Sequence, residues 1–211
     1  MPEIEIPPLA YWLSTISVIF AIVDPFGYVP IFISMTARDS EDRRRHMLGK
    51  ACLTAGIVLT VFTLVGTYIL QFFGISIPAL QITGGLLLLV IGFEMLKVLP
   101  IGEKLSAVEE NEGVNKEDIS IVPLAIPMLS GPASIATVVV LAADALTPEE
   151  YAVILFSVVL TLGLTYLVLR SATRILNYVG VTGLNVVTRI MGLLLCAMAV
   201  QFVIDGYLSI H

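Results

Sequence analysis

Six apolar segments, each long enough to cross a bilayer, constrain this chain more than any other feature of its sequence. A transmembrane helix needs about 20 apolar residues to cross ~30 Å of hydrocarbon, and only 13% of the 211 residues are charged. We place the segments at Leu9–Thr36, Met47–Phe73, Pro78–Lys97, Ile119–Ala142, Glu150–Arg170 and Asn185–Leu208. The sequence therefore predicts an all-α, polytopic membrane protein with six transmembrane helices.

The connections between these segments leave no room for a soluble domain. The one long polar connection is Pro100–Asp118, which is rich in Glu and Lys. We therefore expect a single transmembrane domain over residues 1–211. It contains three helices at about 9–99, a cytoplasmic loop at about 100–118, and three more helices at about 119–209.

The basic residues predict the orientation of the chain. All 11 lie in or beside the first, third and fifth connections: Arg38, Arg43, Arg44, Arg45, Lys50, Lys97, Lys104, Lys116, Arg170, Arg174 and Arg189. By the positive-inside rule these connections are cytoplasmic, and both termini are outside. The arginine cluster of the first connection also suits contact with anionic lipid, although a topology signal is the simpler explanation.

Motifs for catalysis or cofactor binding are absent from the sequence. There is no phosphate-binding glycine loop, nucleophile elbow or zinc motif. Cys52 and Cys196 lie within apolar segments, and His46 and His211 have no ligand partners nearby in sequence. We expect neither an enzyme nor an ATP-driven pump, with no cofactor, no metal and no nucleic acid partner.

An internal repeat becomes visible when the chain is shifted by 107 residues. The shift places Asp24-Pro25 on Gly131-Pro132, Leu53–Gly56 on Leu160–Gly163, Gly85–Leu88 on Gly192–Leu195, and Glu94 on Gln201. We expect the matched glycines at 56, 85, 163 and 192 to allow close helix contact. Because each half has three segments, an odd number, the halves must cross the membrane in opposite senses. The sequence thus predicts two inverted three-helix repeats, an architecture found in many secondary transporters.

Helix-breaking residues lie near the middle of the first and fourth segments. Asp is a favoured N-cap and Pro a favoured first helical residue, so Asp24-Pro25 and Ser130-Gly131-Pro132 both predict a helix that stops and restarts. Gly27, Pro30 and Pro127 loosen the same regions. Broken backbone at mid-membrane is tolerated only where protein or a water-filled cavity satisfies it. We therefore expect two helix N-termini to converge on an anion-favouring site, with the Asp24 carboxylate beside it.

Four stretches of the chain resemble the MarC family of integral membrane proteins, which includes the small neutral amino acid transporters: IVDPFGYVPIFISMT, FGISIPALQITGGLLLLVIGFEML, IVPLAIPMLSGPASIATVV and RIMGLLLCAMAVQFVIDG. The resemblance covers essentially the whole chain. It implies a six-helix protein of the cell inner membrane that moves glycine and alanine, with coupling to protons. The family's broken helices correspond to Asp24–Pro30 and Pro127–Ser134. Tyr28 replaces the usual Asn, and Ala133 replaces a Gly.

These features together give a hypothesis for the substrate site. Asp24 binds the α-ammonium of an amino acid, and the N–H groups of Ala133, Ser134 and Ile135 bind its α-carboxylate. Tyr28 and Ala133 crowd the Cα substituent, which favours glycine, alanine or serine. The full set of predicted substrate-binding residues is Asp24, Pro25, Gly27, Tyr28, Pro30, Pro127, Ser130, Gly131, Pro132, Ala133, Ser134 and Ile135.

Alternatives stay open at this point. Asp24 and Glu94 are candidate proton carriers, but Asp24 also suits a simple helix cap, and Glu94 also suits an ion pair with Lys97. A non-transporting membrane scaffold or assembly factor, or an exporter of another small solute, would share the same composition. The expected partners are a small neutral amino acid, protons and the lipid bilayer, and the chain is compatible with a homo-oligomer.

Overall fold

Helices make up the regular structure of this protein wherever it is described. The computed structural model describes residues 7–96 and 120–210. The first four α-helices are α1 Leu9–Val23, α2 Tyr28–Met35, α3 Glu41–Phe72 and α4 Ile77–Met95. A π-helix, π1, follows at Ser120–Leu129. The last three α-helices are α5 Pro132–Asp144, α6 Pro148–Arg170 and α7 Ala172–Leu208. The all-α expectation is confirmed for these residues. The polar loop predicted at 100–118 lies outside them.

Several of these helices have the length and apolarity of membrane spans. Four of them, α3, α4, α6 and α7, meet both requirements alone. Helices α1 and α2 meet them together and are bent by 42° at the break between them. The remaining predicted segment, Ile119–Ala142, is divided into π1 and the short apolar helix α5.

Side-chain caps begin the helices that follow the polar connections. The Ser40 hydroxyl accepts a hydrogen bond from the Arg43 N–H, so α3 begins six residues before the predicted segment start at Met47. The Ser76 hydroxyl accepts from the Ala79 N–H at the start of α4. Thr147 and Glu150 form a capping box at the start of α6. Because caps satisfy N–H groups that a helix leaves free, the helices extend beyond the apolar segments.

Helix α7 also begins earlier than its predicted segment. It starts at Ala172 instead of Asn185, and Gly180 interrupts it with a φ of 71° and a ψ of 169°. This backbone conformation is accessible to glycine without steric cost. A short helix before Gly180 therefore precedes the long apolar span.

Glycines bring α4 and α7 together. A Cβ built on Gly85 would lie 2.7 Å from the Ala199 carbonyl oxygen, and one on Gly92 would lie 2.5 Å from the Cys196 Sγ and 3.0 Å from the Gly192 carbonyl oxygen. Small residues let membrane helices approach closely, and the prediction for Gly85 and Gly192 is confirmed. The prediction for Gly163 is wrong for the part of the chain that the structure describes, because no atom of a neighbouring helix there lies within 4 Å of a Cβ built on it.

The larger core cluster joins the first helix break to both halves of the chain. Val23 and Val29, on either side of the break, are buried together with Leu59 of α3 and with Leu124 and Leu129 of π1. A smaller cluster packs Ala21 and Ile22 against Ala133, at the start of α5. The two regions that the sequence marks as broken therefore lie against each other inside the protein.

Candidate functional site

The first helix break consists of the residues between α1 and α2. The Asp24 N–H donates to the Phe20 carbonyl oxygen at 3.0 Å, which makes Asp24 the last residue bonded into α1. Its φ of 39° and ψ of 67° are left-handed, and no other non-glycine residue in the described segments has a positive φ. Asp tolerates this conformation better than most residues. Since Pro25 also disfavours right-handed helix at the residue before it, the local sequence ends α1 here.

This geometry corrects the predicted role of Asp24 as a helix N-cap. Asp24 closes the C-terminal end of α1, and α2 begins only at Tyr28, after a turn over residues 25–27. The Asp24 carboxylate nevertheless accepts a hydrogen bond from the Gly27 N–H within that turn. A Cβ on Gly27 would overlap this carboxylate, so a larger residue at this position would displace it.

One oxygen of the Asp24 carboxylate is left for another partner. Asp24 Oδ1 is buried and has no hydrogen-bond partner among residues 7–96 and 120–210, so Oδ2 is the oxygen that accepts from Gly27. The rings of Phe20 and Phe26 pack edge to face across the break, with centroids 6.3 Å apart. A buried acceptor without a partner is costly, which makes Oδ1 the atom at this break that is suited to a ligand.

The second helix break lies between π1 and α5. The Ser130 N–H and hydroxyl both donate to the Ala125 carbonyl oxygen, at 3.0 and 2.8 Å. Gly131 is extended, with a φ of −72° and a ψ of 173°, and Pro132 is the first residue of α5. This arrangement matches the predicted restart at Ser130-Gly131-Pro132. A π-helix directly before the break is itself notable, because π-helical turns occur frequently at functional sites.

The first turn of α5 presents uncapped N–H groups. No side chain caps this helix, and Ala133 and Ser134, its second and third residues, are buried. The N–H groups at these positions have no intrahelical acceptor by helix geometry. The Ile135 N–H, in contrast, donates to the Gly131 carbonyl oxygen at 3.0 Å. The prediction that Ile135 offers a free N–H is therefore wrong, and two N–H groups remain from the predicted three.

A hydrogen bond connects the two breaks. The hydroxyl of Tyr28, the first residue of α2, donates to the carbonyl oxygen of Met128, near the end of π1, at 2.9 Å. Ile22 and Val23, just before the first break, share a narrow space with Ser134, just after the second break. This space is too small to hold a water molecule. The breaks are thus closed against each other in this conformation.

Several predicted site residues lie away from this junction. Pro30 is exposed in the first turn of α2, where a missing N–H costs little, so it does not break the helix. The side chains of Pro132 and Ile135 line an apolar groove with Phe62, Leu70 and Leu80, whereas Pro25 is buried in the turn of the first break. Pro127 falls within π1, and its side chain is outside the description.

Glu94 belongs to neither break. It lies one residue before the end of α4 and is half-buried. Its predicted partner Lys97 lies outside the described residues. A role for Glu94 in proton coupling stays a prediction.

Two contacts of the junction are not predicted by the sequence analysis. The Met128 carbonyl is a backbone group, and its partner Tyr28 is 100 residues away. The double hydrogen bond from Ser130 to Ala125 depends on the π-helical geometry of π1. The prolines at 123 and 127, which lack the N–H groups of a regular helix, are the one hint of irregular backbone that the sequence offers there.

Comparisons with known proteins find integral membrane proteins of similar sequence. A model described as "MarC family integral membrane protein" matches residues 9–211. A UPF0056 membrane protein of Methanocaldococcus jannaschii is 37% identical over 201 residues, covering 94% of this chain and 96% of the relative. Others from Pyrococcus horikoshii (40% over 189 residues, 89% of each chain) and Escherichia coli (35% over 192 residues, 89% and 87%) are similar. No solved structure matches the chain.

Proposed function

The chain belongs to the MarC family of integral membrane proteins, and we propose that it is a secondary transporter of small neutral amino acids. The observation that carries this proposal is the junction of two broken helices, closed by the hydrogen bond from Tyr28 to Met128. Discontinuous helices at mid-membrane form the substrate sites of many secondary transporters. A scaffold would gain nothing from broken backbone at that depth.

The chemistry of the junction suits a zwitterion. At the first break, the buried and unpartnered Asp24 Oδ1 would accept hydrogen bonds from an α-ammonium, and a charge-assisted bond of this kind is among the stronger ones in proteins. At the second break, the N–H groups of Ala133 and Ser134, together with the positive end of the α5 dipole, would bind an α-carboxylate. The two ends of one amino acid would then bridge the two breaks.

The size of the junction favours the smallest amino acids. Val23, Val29 and Ala133 are buried around it, and Tyr28 spans it. The space between Ile22, Val23 and Ser134 is too narrow for water, so even a small substrate requires the halves to separate. We therefore propose glycine, alanine and serine as substrates and expect leucine to be excluded.

Alternating access would arise from movement of two inverted halves. The 107-residue shift relates Gly85 to Gly192 and Gly92 to Ala199. In the structure Gly85 lies against Ala199, and Gly92 lies against Gly192, so each contact maps onto the other when the halves are exchanged. This reciprocity supports an inverted repeat of three helices each, with an approximate two-fold axis between α4 and α7.

Coupling to protons is part of the proposal. Asp24 is the candidate carrier within the junction, and Glu94 of α4 is a candidate outside it. The proposed location is the cytoplasmic membrane, with both termini outside as the basic residues predict. We propose no enzymatic reaction and no cofactor.

Counterflow in proteoliposomes tests this function. Vesicles with purified protein are loaded with unlabelled glycine, and entry of labelled glycine, alanine, serine and leucine is followed with and without a pH gradient. We expect entry of the three small amino acids and none of leucine. The test variant is Asp24→Asn. Its control is Asp205→Asn, since Asp205 is exposed on α7 and accepts a hydrogen bond from Gln201. Counterflow by neither wild type nor the control, from correctly inserted protein, would favour a scaffold or an exporter of another solute.

A further inference from the structure

A cavity whose lining includes no residue of either helix break lies at the end of the protein that the basic residues predict to be cytoplasmic. Its volume is about 340 Å³. One wall comes from α2 and the start of α3, and the other from the end of α6 and the start of α7. It therefore lies between the first and fifth connections, which belong to different halves of the chain.

Positive charge dominates this cavity. Among the residues that the structure describes, four arginines line it, Arg44 and Arg45 from α3 and Arg170 and Arg174 from the junction of α6 and α7, and Glu41 is the one acidic side chain. Like charges that converge on a small space repel one another. Such an arrangement is favourable when an anion occupies the space.

Local partners engage the two arginines of α3 more than the other two. Arg44 Nε donates to the Thr36 carbonyl oxygen at 2.8 Å, and Arg45 forms an ion pair with Glu41 at 3.2 Å. Arg170 and Arg174 are exposed, and neither forms an ion pair or a side-chain hydrogen bond with the residues that the structure describes. Each guanidinium has five N–H donors in a planar fork, so this pair offers ten donors to an external anion.

A topology signal alone does not account for this arrangement. The positive-inside rule depends on how many basic residues a connection contains and not on where their side chains point. Here two connections that are distant in sequence contribute arginines to one cavity. Its lining also includes the buried side chains of Phe32, Leu48 and Leu169. Arg38 and Arg189 would serve topology equally well, and neither lines the cavity.

We propose that this cavity binds a phosphate group. Guanidinium groups match the oxygen geometry of phosphate in a bidentate manner, and basic pockets between membrane helices on the cytoplasmic side suit anionic headgroups. The phosphate comes either from an anionic phospholipid, whose acyl chains would follow the apolar surface, or from a soluble phosphate. In both cases the bound group connects the first connection to the fifth and so holds the two halves together at this end.

Calorimetry of delipidated protein in a non-ionic detergent tests the proposal. The probes are inorganic phosphate, short-chain phosphatidylglycerol, and short-chain phosphatidylcholine as the lipid without net charge. The test variant is Arg170→Gln/Arg174→Gln. The control variant, Arg38→Gln/Arg189→Gln, removes the same number of charges from exposed residues outside the cavity.

We expect saturable binding with one site per chain, weakened roughly tenfold to thirtyfold in the test variant and unchanged in the control. Binding of phosphatidylglycerol alone identifies a lipid site, and binding of inorganic phosphate, alone or as well, identifies a site for the phosphate group itself. The proposal is overturned if neither inorganic phosphate nor phosphatidylglycerol binds the wild-type protein. It is also overturned if both variants lose affinity equally, or if phosphatidylcholine binds as tightly as phosphatidylglycerol.

Discussion

The two helix breaks, which the 107-residue shift of the sequence aligns, are built from different chemistry. In the first, Asp24 takes a left-handed conformation, and its carboxylate accepts from Gly27 to close a three-residue turn before α2. In the second, Gly131 is extended and leads directly into Pro132 without any side-chain cap. One break therefore carries a carboxyl group, whereas the other leaves helix N–H groups uncapped. Under the proposed function, this difference suits a ligand with two unlike ends.

The comparison of the two breaks assumes that the two halves cross the membrane in opposite senses. This orientation predicts that, of two equivalent positions, one is labelled from outside the cell and the other is not. Ser40→Cys, between α2 and α3, and Leu146→Cys, between α5 and α6, are introduced after both native cysteines are replaced by alanine. Both positions are exposed, Leu146 at 90%. An impermeant maleimide on intact cells should label only Leu146→Cys. Labelling of both positions from the same side would end the inverted-repeat model.

Adding charge at the second break should abolish its function. In Gly131→Asp, the new carboxylate would accept from the α5 N–H groups and repel the substrate carboxylate, so we expect no detectable glycine binding. Gly131→Asn adds the acceptor without the charge and should bind weakly, and Gly131→Ala adds volume alone and should bind best of the three. Equal affinities across the series, measured by calorimetry, would show that α5 does not bind an anion.

The two prolines should not be equivalent. Pro25 keeps Asp24 out of right-handed helix, so Pro25→Ala should let α1 continue toward α2 and reduce glycine uptake more than tenfold. Pro132 is the first residue of α5, where its missing N–H has no structural consequence, and the two hydrogen bonds from Ser130 to the Ala125 carbonyl oxygen already end π1 before it. Pro132→Ala should therefore retain most uptake. A larger loss for Pro132→Ala, at equal membrane insertion, would reverse the assignment of roles.

The hydroxyl that joins the breaks should have the smallest effect. Tyr28→Phe removes the hydrogen bond to Met128, and a neutral hydrogen bond contributes about 1 kcal/mol. Because this bond holds the junction closed and a substrate needs the halves to separate, we expect the glycine Kd to fall about fivefold. Tyr178→Phe removes a hydroxyl from an exposed tyrosine of α7 and should leave it unchanged. Identical affinities for the two variants would mean that the hydrogen bond does not hold the junction closed.

The sequence predicts the location of both breaks because proline and glycine act locally. It does not predict the conformation of Asp24, since Asp is favoured at helix N-caps and also tolerates the left-handed region. Helix geometry alone is enough to predict that the Ile135 N–H is not free. The N–H of the fourth residue after an N-cap donates to the N-cap carbonyl oxygen. The Tyr28–Met128 contact needs the tertiary fold, which joins residues 100 positions apart.

The helix boundaries show the same division between local and tertiary information. Hydropathy locates the apolar spans but not the polar turns that extend them, so α3 begins at Glu41 and α7 at Ala172. The Ser40 cap of α3 is visible in sequence as a Ser before two acidic residues. The contrast between Gly92, packed against Cys196, and Gly163, which faces open space, depends on which helix faces are neighbours.

The central claim is that the free oxygen of Asp24 binds the ammonium group of the substrate, and glycine affinity measures it most directly. Removing one partner of a buried charged pair costs about 3–5 kcal/mol. Calorimetry should therefore show that Asp24→Asn binds glycine roughly 150- to 5,000-fold more weakly than wild type, while Asp205→Asn binds it normally. If Asp24→Asn binds glycine as tightly as wild type, Asp24 serves only to close the turn before α2, and the proposed site is wrong.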